Sequence, residues 1–241
     1  MKYLTIKSLV IALFALFISP QLFAHTLWIE TKATGAKGKP QEINVFFGEF
    51  GDKDISPTAK WFSDLKNFTL FAISPSKKEI KLTSTALENS YQTFFTPTED
   101  GIYTIVMRHI PKDIYGTTKL DYNSSATVTI GNKTEVNEAT INSNIVSLFS
   151  EMATTAKQNS AVKILALNNL NIAPNQEIKV FAPNGWGKQL YSNEKGEINF
   201  IPLWPGNYMV EFALTDKTAG ELNGKKYDDI WKVATYVITV K

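Results

Sequence analysis

The stretch Gln189-Leu190-Tyr191-Ser192-Asn193-Glu194-Lys195-Gly196-Glu197-Ile198-Asn199-Phe200-Ile201-Pro202-Leu203-Trp204-Pro205-Gly206-Asn207-Tyr208-Met209-Val210 decides the fold class. Short runs of alternating apolar and polar residues, rich in aromatic and β-branched side chains, predict half-buried strands. Asn193 to Gly196 and Pro205-Gly206 are turn chemistry, because Asn and Gly tolerate a positive φ and Pro presets its own. The order is therefore strand, turn, strand, turn, strand.

The same pattern recurs outward in both directions. Strands are predicted at Thr26–Thr31, 42–47, 68–73, 79–83, 90–95, 102–110 and 124–130, and again at 162–167, 177–182, 189–192, 197–201, 207–214 and 233–240. Helical periodicity is nearly missing, and only 145–153 could hold a short helix. Between 131 and 160 the composition turns to Asn, Ser, Thr, Ala and Glu without a sustained period. The fold class expected is all-β, with two sandwich domains of Ig-like or transthyretin-like type. The expected division is 1–24 signal peptide, 25–135 first sandwich, 136–160 linker and 161–241 second sandwich, the last able to fold alone.

The leader is read from its own chemistry. Lys2 and Lys7 precede the apolar run from Leu9 to Ile18, and Leu22-Phe23-Ala24 supplies a small-residue cleavage site before His25. The apolar run is about half the length a membrane-spanning helix needs. A periplasmic chain starting at His25 is therefore expected, with no membrane span after processing. Removal of residues 1–24 takes two lysines and no acid, so the net charge of +2 becomes zero. A neutral chain without a Lys/Arg cluster in its sequence lacks the electrostatic footprint for nucleic acid or an anionic surface. Cysteine is absent. Stability must then come from apolar burial, and thiolate nucleophiles, Cys-zinc sites and iron–sulfur clusters are excluded.

The opening Ala24-His25-Thr26-Leu27-Trp28-Ile29-Glu30 resembles the mature start of a periplasmic family of unknown function once labelled nickel-uptake (NikM-like). Asn193 to Ile198, Pro205 to Tyr208, Asp229-Ile230-Trp231 and Ala234-Thr235 are similar to the signatures of that family's transthyretin-like C-terminal domain. The closing Tyr236-Val237-Ile238-Thr239-Val240 and the Asn-rich linker depart from its usual pattern. The resemblance implies a two-domain secreted β protein with a role in uptake of a metal or metal complex, working with an envelope transporter or receptor.

Only two histidines exist, His25 and His109. Processing before His25 would free its α-amine to chelate a metal together with the imidazole. The His109 imidazole is expected to complete an N₃ set suited to copper, or less tightly to nickel. This opening residue is shared with lytic polysaccharide monooxygenases and with periplasmic copper carriers of the CopC type, whose remaining motifs are absent. Against the metal reading, period 2 puts His109 on a face with Tyr103, Ile105 and Met107, where a histidine more often packs than binds. Glu30, Glu49 and Asp52 are nearby carboxylates. Glu49, in Gly48-Glu49-Phe50-Gly51, could supply an oxygen ligand, although such a segment is more often an exposed turn.

Catalytic patterns are scarce. There is no Gly-x-Ser-x-Gly elbow, and Asp228-Asp229 would point to opposite faces of a strand. Among the five tryptophans, Trp186 between Gly185 and Gly187 is the best candidate for an exposed sugar-stacking ring, whereas Trp28 and Trp231 are expected in the core. The function expected is non-enzymatic handling of a transition metal or its complex. The alternatives are a carbohydrate-binding or surface-ligand-binding β protein and a copper monooxygenase.

Overall fold

A computed structural model describes residues 25–132, 142–150 and 155–241. Residues 1–24, including the expected signal peptide and its cleavage site, lie outside the described residues, as do 136–141 and 151–154 of the expected linker. The chain is all-β with β-sandwich domains. Its first half contains β1 (Thr26–Thr31), β2 (Thr34–Gly35), β3 (Gln41–Glu49), β4 (Asp54–Ile55), β5 (Thr69–Ile73), β6 (Glu79–Leu82), β7 (Thr85–Ala86), β8 (Tyr91–Phe95), β9 (Gly101–His109) and β10 (Thr118–Ile130). Its second contains β11 (Val146–Phe149), β12 (Thr155–Ala156), β13 (Val162–Asn168), β14 (Asn171–Ile172), β15 (Glu177–Phe181), β16 (Gly187–Tyr191), β17 (Glu197–Phe200), β18 (Gly206–Asp216), β19 (Gly220–Leu222), β20 (Lys225–Tyr227) and β21 (Asp229–Val240). No helix among the described residues is long and apolar enough to cross a membrane.

One long sheet runs through both halves in the order β16-β15-β18-β21-β10-β9-β5-β6. Its centre is the parallel pair of β10 and β21, from Thr118 beside Asp229 to Ser125 beside Tyr236. Strand alternation then gives each face its own core. Trp231 and Val233 of β21 join Leu120, Tyr122, Ala126 and Val128 of β10 in the first core, covered by β1 and β3. Ala234, Tyr236, Ile238 and Val240 turn to the other face and join Val146, Leu148, Ile164 and Ile198 in the second core. Two sandwiches therefore share one sheet. Burial of each large side chain contributes roughly 1.5–3 kcal/mol, which is what holds a chain without disulfides.

One local expectation changes. The segment considered for a short helix forms strand β11, because Val146 and Leu148 find a buried face against β13, and an apolar run this short carries no decisive period of its own. Val146, Leu148 and Ala156 of the expected linker pack in the second core, while Asn144 Nδ2 donates to Met107 O of β9. In the stretch that opened the sequence reading, the Asn193 side chain accepts from Lys195 N and Glu197 N, and Gly196 takes φ 74°. This turn carries the chain from one sheet to another, since β16 pairs with β15 while β17 pairs with β13.

Candidate functional site

His25 lies at the start of β1, and the β1/β3 register pairs Thr26 with Gly48. Continued by one residue beyond the paired strand, this register sets His25 opposite Glu49, whose pKa the His25 charge works to lower. Glu49 is itself paired with Asp54 across the β3–β4 hairpin. Residues directly opposite one another share a face, so His25, Glu49 and Asp54 form a row across three strands. Gly48 makes this possible: its φ is +155°, and a Cβ there would run into the Asp54 carbonyl oxygen.

The side chains follow the backbone. His25 Nε2 is 3.6 Å from Asp54 Oδ2, with both groups well exposed, and the imidazole lies 5.6 Å from the Phe47 ring. Burial raises the Glu49 pKa; the Asp52 charge and a carboxyl–carboxylate hydrogen bond to Asp52 push it the same way, and Asp54 adds to this, while His25 opposes it. From the facing sheet comes Glu211, which shares its side of β18 with Ala213, a residue packed on the first core. Burial pushes the Glu211 carboxyl up to about 7, with Glu49 and Glu177 raising it and Lys179 opposing. Carboxylates thus outnumber the cationic groups around the row, and burial together with their mutual repulsion raises the pKa of two of them, Glu49 and Glu211. Among the described residues, no three His, Asp or Glu side chains already converge tightly enough to hold an ion.

His109 has a different environment. Its Nε2 lies 3.2 Å from Asp64 Oδ1, and only 10% of the side chain is exposed. Lys112 N donates to the same oxygen at 2.9 Å, while Ser63 Oγ, 3.3 Å from it, donates to Asp113 Oδ2 at 2.8 Å. Burial works to raise the Asp64 carboxyl, but the Lys112 amide and the His109 imidazole hold it below its ordinary value. The contact ties the end of β9 to the turn at Leu65–Asn67. The two imidazoles expected to share an ion each have their own carboxylate.

Compared with known proteins, the chain matches no protein-family model and no curated relative. Among solved structures it is similar to the crystal structure of Salmonella alpha-2-macroglobulin reacted with methylamine, with 10% identity and a TM-score of 0.31. That similarity covers 90% of this chain and only 15% of the other. At that score it carries no argument about fold or activity.

The remaining residues singled out from the sequence take structural positions. Glu30 accepts from Trp28 Nε1 at 3.0 Å and from Asn207 Nδ2 at 3.2 Å, linking the two sandwiches. Trp28 and Trp231 are buried as expected, and Trp186 is 48% exposed. Asp229 accepts from Thr118 Oγ1 and Lys217 Nζ. The sequence reading missed Asp54 and Glu211. Asp54 had a visible signal, a Gly-Asp-Lys-Asp turn directly after an apolar strand, but only the hairpin register aligns it with His25.

Proposed function

We propose that this chain is a non-enzymatic binding protein of the bacterial envelope that takes a divalent transition metal at the row His25, Glu49 and Asp54, with Asp52 and Glu211 around it. The observation that carries the reading is the three-strand register, which brings the single imidazole of this end beside paired carboxylates. An excess of carboxylates costs free energy until a cation arrives, so the arrangement favours a positively charged ligand. Cleavage before His25 would add its α-amine. Imidazole, amine and carboxylate together suit Cu²⁺, Ni²⁺ or Zn²⁺ better than Mg²⁺ or Ca²⁺, and copper should bind tightest in the Irving–Williams order. The resemblance at the start of the mature sequence supports a place in metal uptake, with delivery to an envelope transporter or receptor. His109 is not a ligand in this proposal.

Calorimetric titration with Cu²⁺, Ni²⁺ and Zn²⁺ tests it on protein beginning at His25. Affinity should fall at least about tenfold in Glu49→Gln/Asp54→Asn and in protein carrying one residue before His25, and should stay unchanged in His109→Ala. Equal binding by all four proteins, or no binding tighter than micromolar, would remove the site.

A further inference from the structure

Three turns that are far apart in the sequence, 155–160, 183–188 and 201–206, meet at one end of the second sandwich. Asn159 N donates to Pro202 O at 2.9 Å, and Gln158 Nε2 donates to Leu203 O at 2.7 Å. Gly206 packs so closely on Pro183 that an added Cβ would lie 2.9 Å from the proline ring. Trp186 and Trp204 stand with ring centroids 6.2 Å apart at 62°. The result is one tip on which Ile201, Leu203, Trp186 and Trp204 are 57, 49, 48 and 36% exposed.

Four large apolar side chains on adjoining turns form a patch of the kind that marks an interaction surface. Its charge says which. The three turns contain no Asp or Glu and two lysines, Lys157 and Lys188, both exposed and without an ion pair among the described residues. Where Gly185 approaches the Gly51 carbonyl, the neighbouring hairpin carries Lys53 with Asp52, Glu49 and Asp54, the carboxylates that gather toward His25, so the positive charge of the tip is confined to Lys157 and Lys188. A sugar platform would need polar groups free beside the rings. Here the Asn184 side-chain oxygen accepts from Trp186 N and Gln158 Nε2 donates to Leu203 O, so one end of each amide is spent on shaping its turn. Exposed tryptophans with aliphatic neighbours and flanking lysines match the headgroup region of an anionic bilayer, where indole rings are favoured and each lysine adds attraction.

We propose that this tip docks the protein on an anionic lipid surface, with Trp186, Trp204, Leu203 and Ile201 entering the headgroup region and Lys157 and Lys188 meeting lipid phosphates. The zero net charge of the chain after residue 24 conceals the feature, because the fold gathers the two lysines.

The test is flotation with vesicles of equal parts phosphatidylglycerol and phosphatidylcholine, set against phosphatidylcholine alone, with the same N-terminus in every sample. Binding to the anionic vesicles, a blue shift of tryptophan emission and weakening by salt are expected. Trp186→Ser/Trp204→Ser and Lys157→Glu/Lys188→Glu should each lower partitioning at least about tenfold. These positions are exposed, so both variants should melt like the parent. Ile201→Ser/Leu203→Ser gives a second apolar test that leaves the emission probe intact. Variants that float as well as the parent overturn the proposal. So does a parent that ignores vesicles but is retained on a polysaccharide column through Trp186 and Trp204, which would make the tip a carbohydrate platform.

Discussion

Ser124 Oγ and Thr235 Oγ1 meet at 2.8 Å across the parallel pair of β10 and β21, and both also reach β1. Ile29 N donates to Ser124 Oγ at 3.2 Å, and Thr235 Oγ1 donates to Leu27 O at 2.8 Å. This buried knot joins the strand after His25 to the seam between the two halves. Thr235→Val keeps the shape and removes the hydroxyl, leaving Leu27 O without that donor. The loss should be about 1–3 kcal/mol, read from urea unfolding. A change below about 0.5 kcal/mol would mean the knot is incidental.

The same seam makes the halves interdependent. A fragment of residues 160–241 lacks β11, which pairs with β13, and β10, which pairs with β21, and it exposes Trp231 and Val233 of the first core. It should show no cooperative melt and poorly dispersed amide signals, whereas residues 25–241 should unfold in one transition. A fragment that folds alone would restore the independent second domain expected from the sequence.

Strand identity was legible because burial on one face leaves period-2 alternation in the residues, as in Tyr103, Ile105 and Met107, all of which reach the first core. The parallel pairing of β10 with β21 was not, since a partner more than a hundred residues away leaves no local signature. It also explains why residues 136–160 read as a linker: Ser147 and the asparagines around β11 are polar but buried. His25 stood out by its position alone. Its carboxylate partners depended on a register that one glycine sets.

That glycine provides the third prediction. In Gly48→Ala the new Cβ meets the Asp54 carbonyl, backbone that cannot swing aside, so the β3–β4 hairpin must open. Stability should drop by about 2 kcal/mol or more, and Cu²⁺ affinity should fall with it even though every proposed ligand remains. Wild-type affinity in a folded Gly48→Ala protein would show that Asp54 need not lie beside Glu49.

His109 gives the opposite pattern. Removing the imidazole from Asp64 in His109→Ala leaves the carboxylate with the Lys112 amide, and loosens the end of β9 from its turn. A loss of about 1–2 kcal/mol in urea unfolding is expected, with unchanged metal affinity. Loss of metal binding without loss of stability would return His109 to the ligand set.

Glu211 sets the pH dependence. Its carboxyl is pushed up to about 7 in the folded protein from an ordinary 4.5, so between those values the native state holds a proton that the unfolded chain has released. Stability must therefore fall as pH rises through that window, by roughly 1–3 kcal/mol for a partly buried group, and then level off. Glu211→Gln removes the titration. It should match the parent near pH 4 and exceed it at pH 8, which thermal melts across the range will read. A divalent cation facing Glu211 and Glu49 favours their ionised forms and offsets the penalty. Copper should therefore raise the melting temperature more at pH 8 than at pH 5.5, and part of that difference should vanish in Glu211→Gln. A copper effect independent of both pH and Glu211 would mean that the ion does not sit between the two sheets.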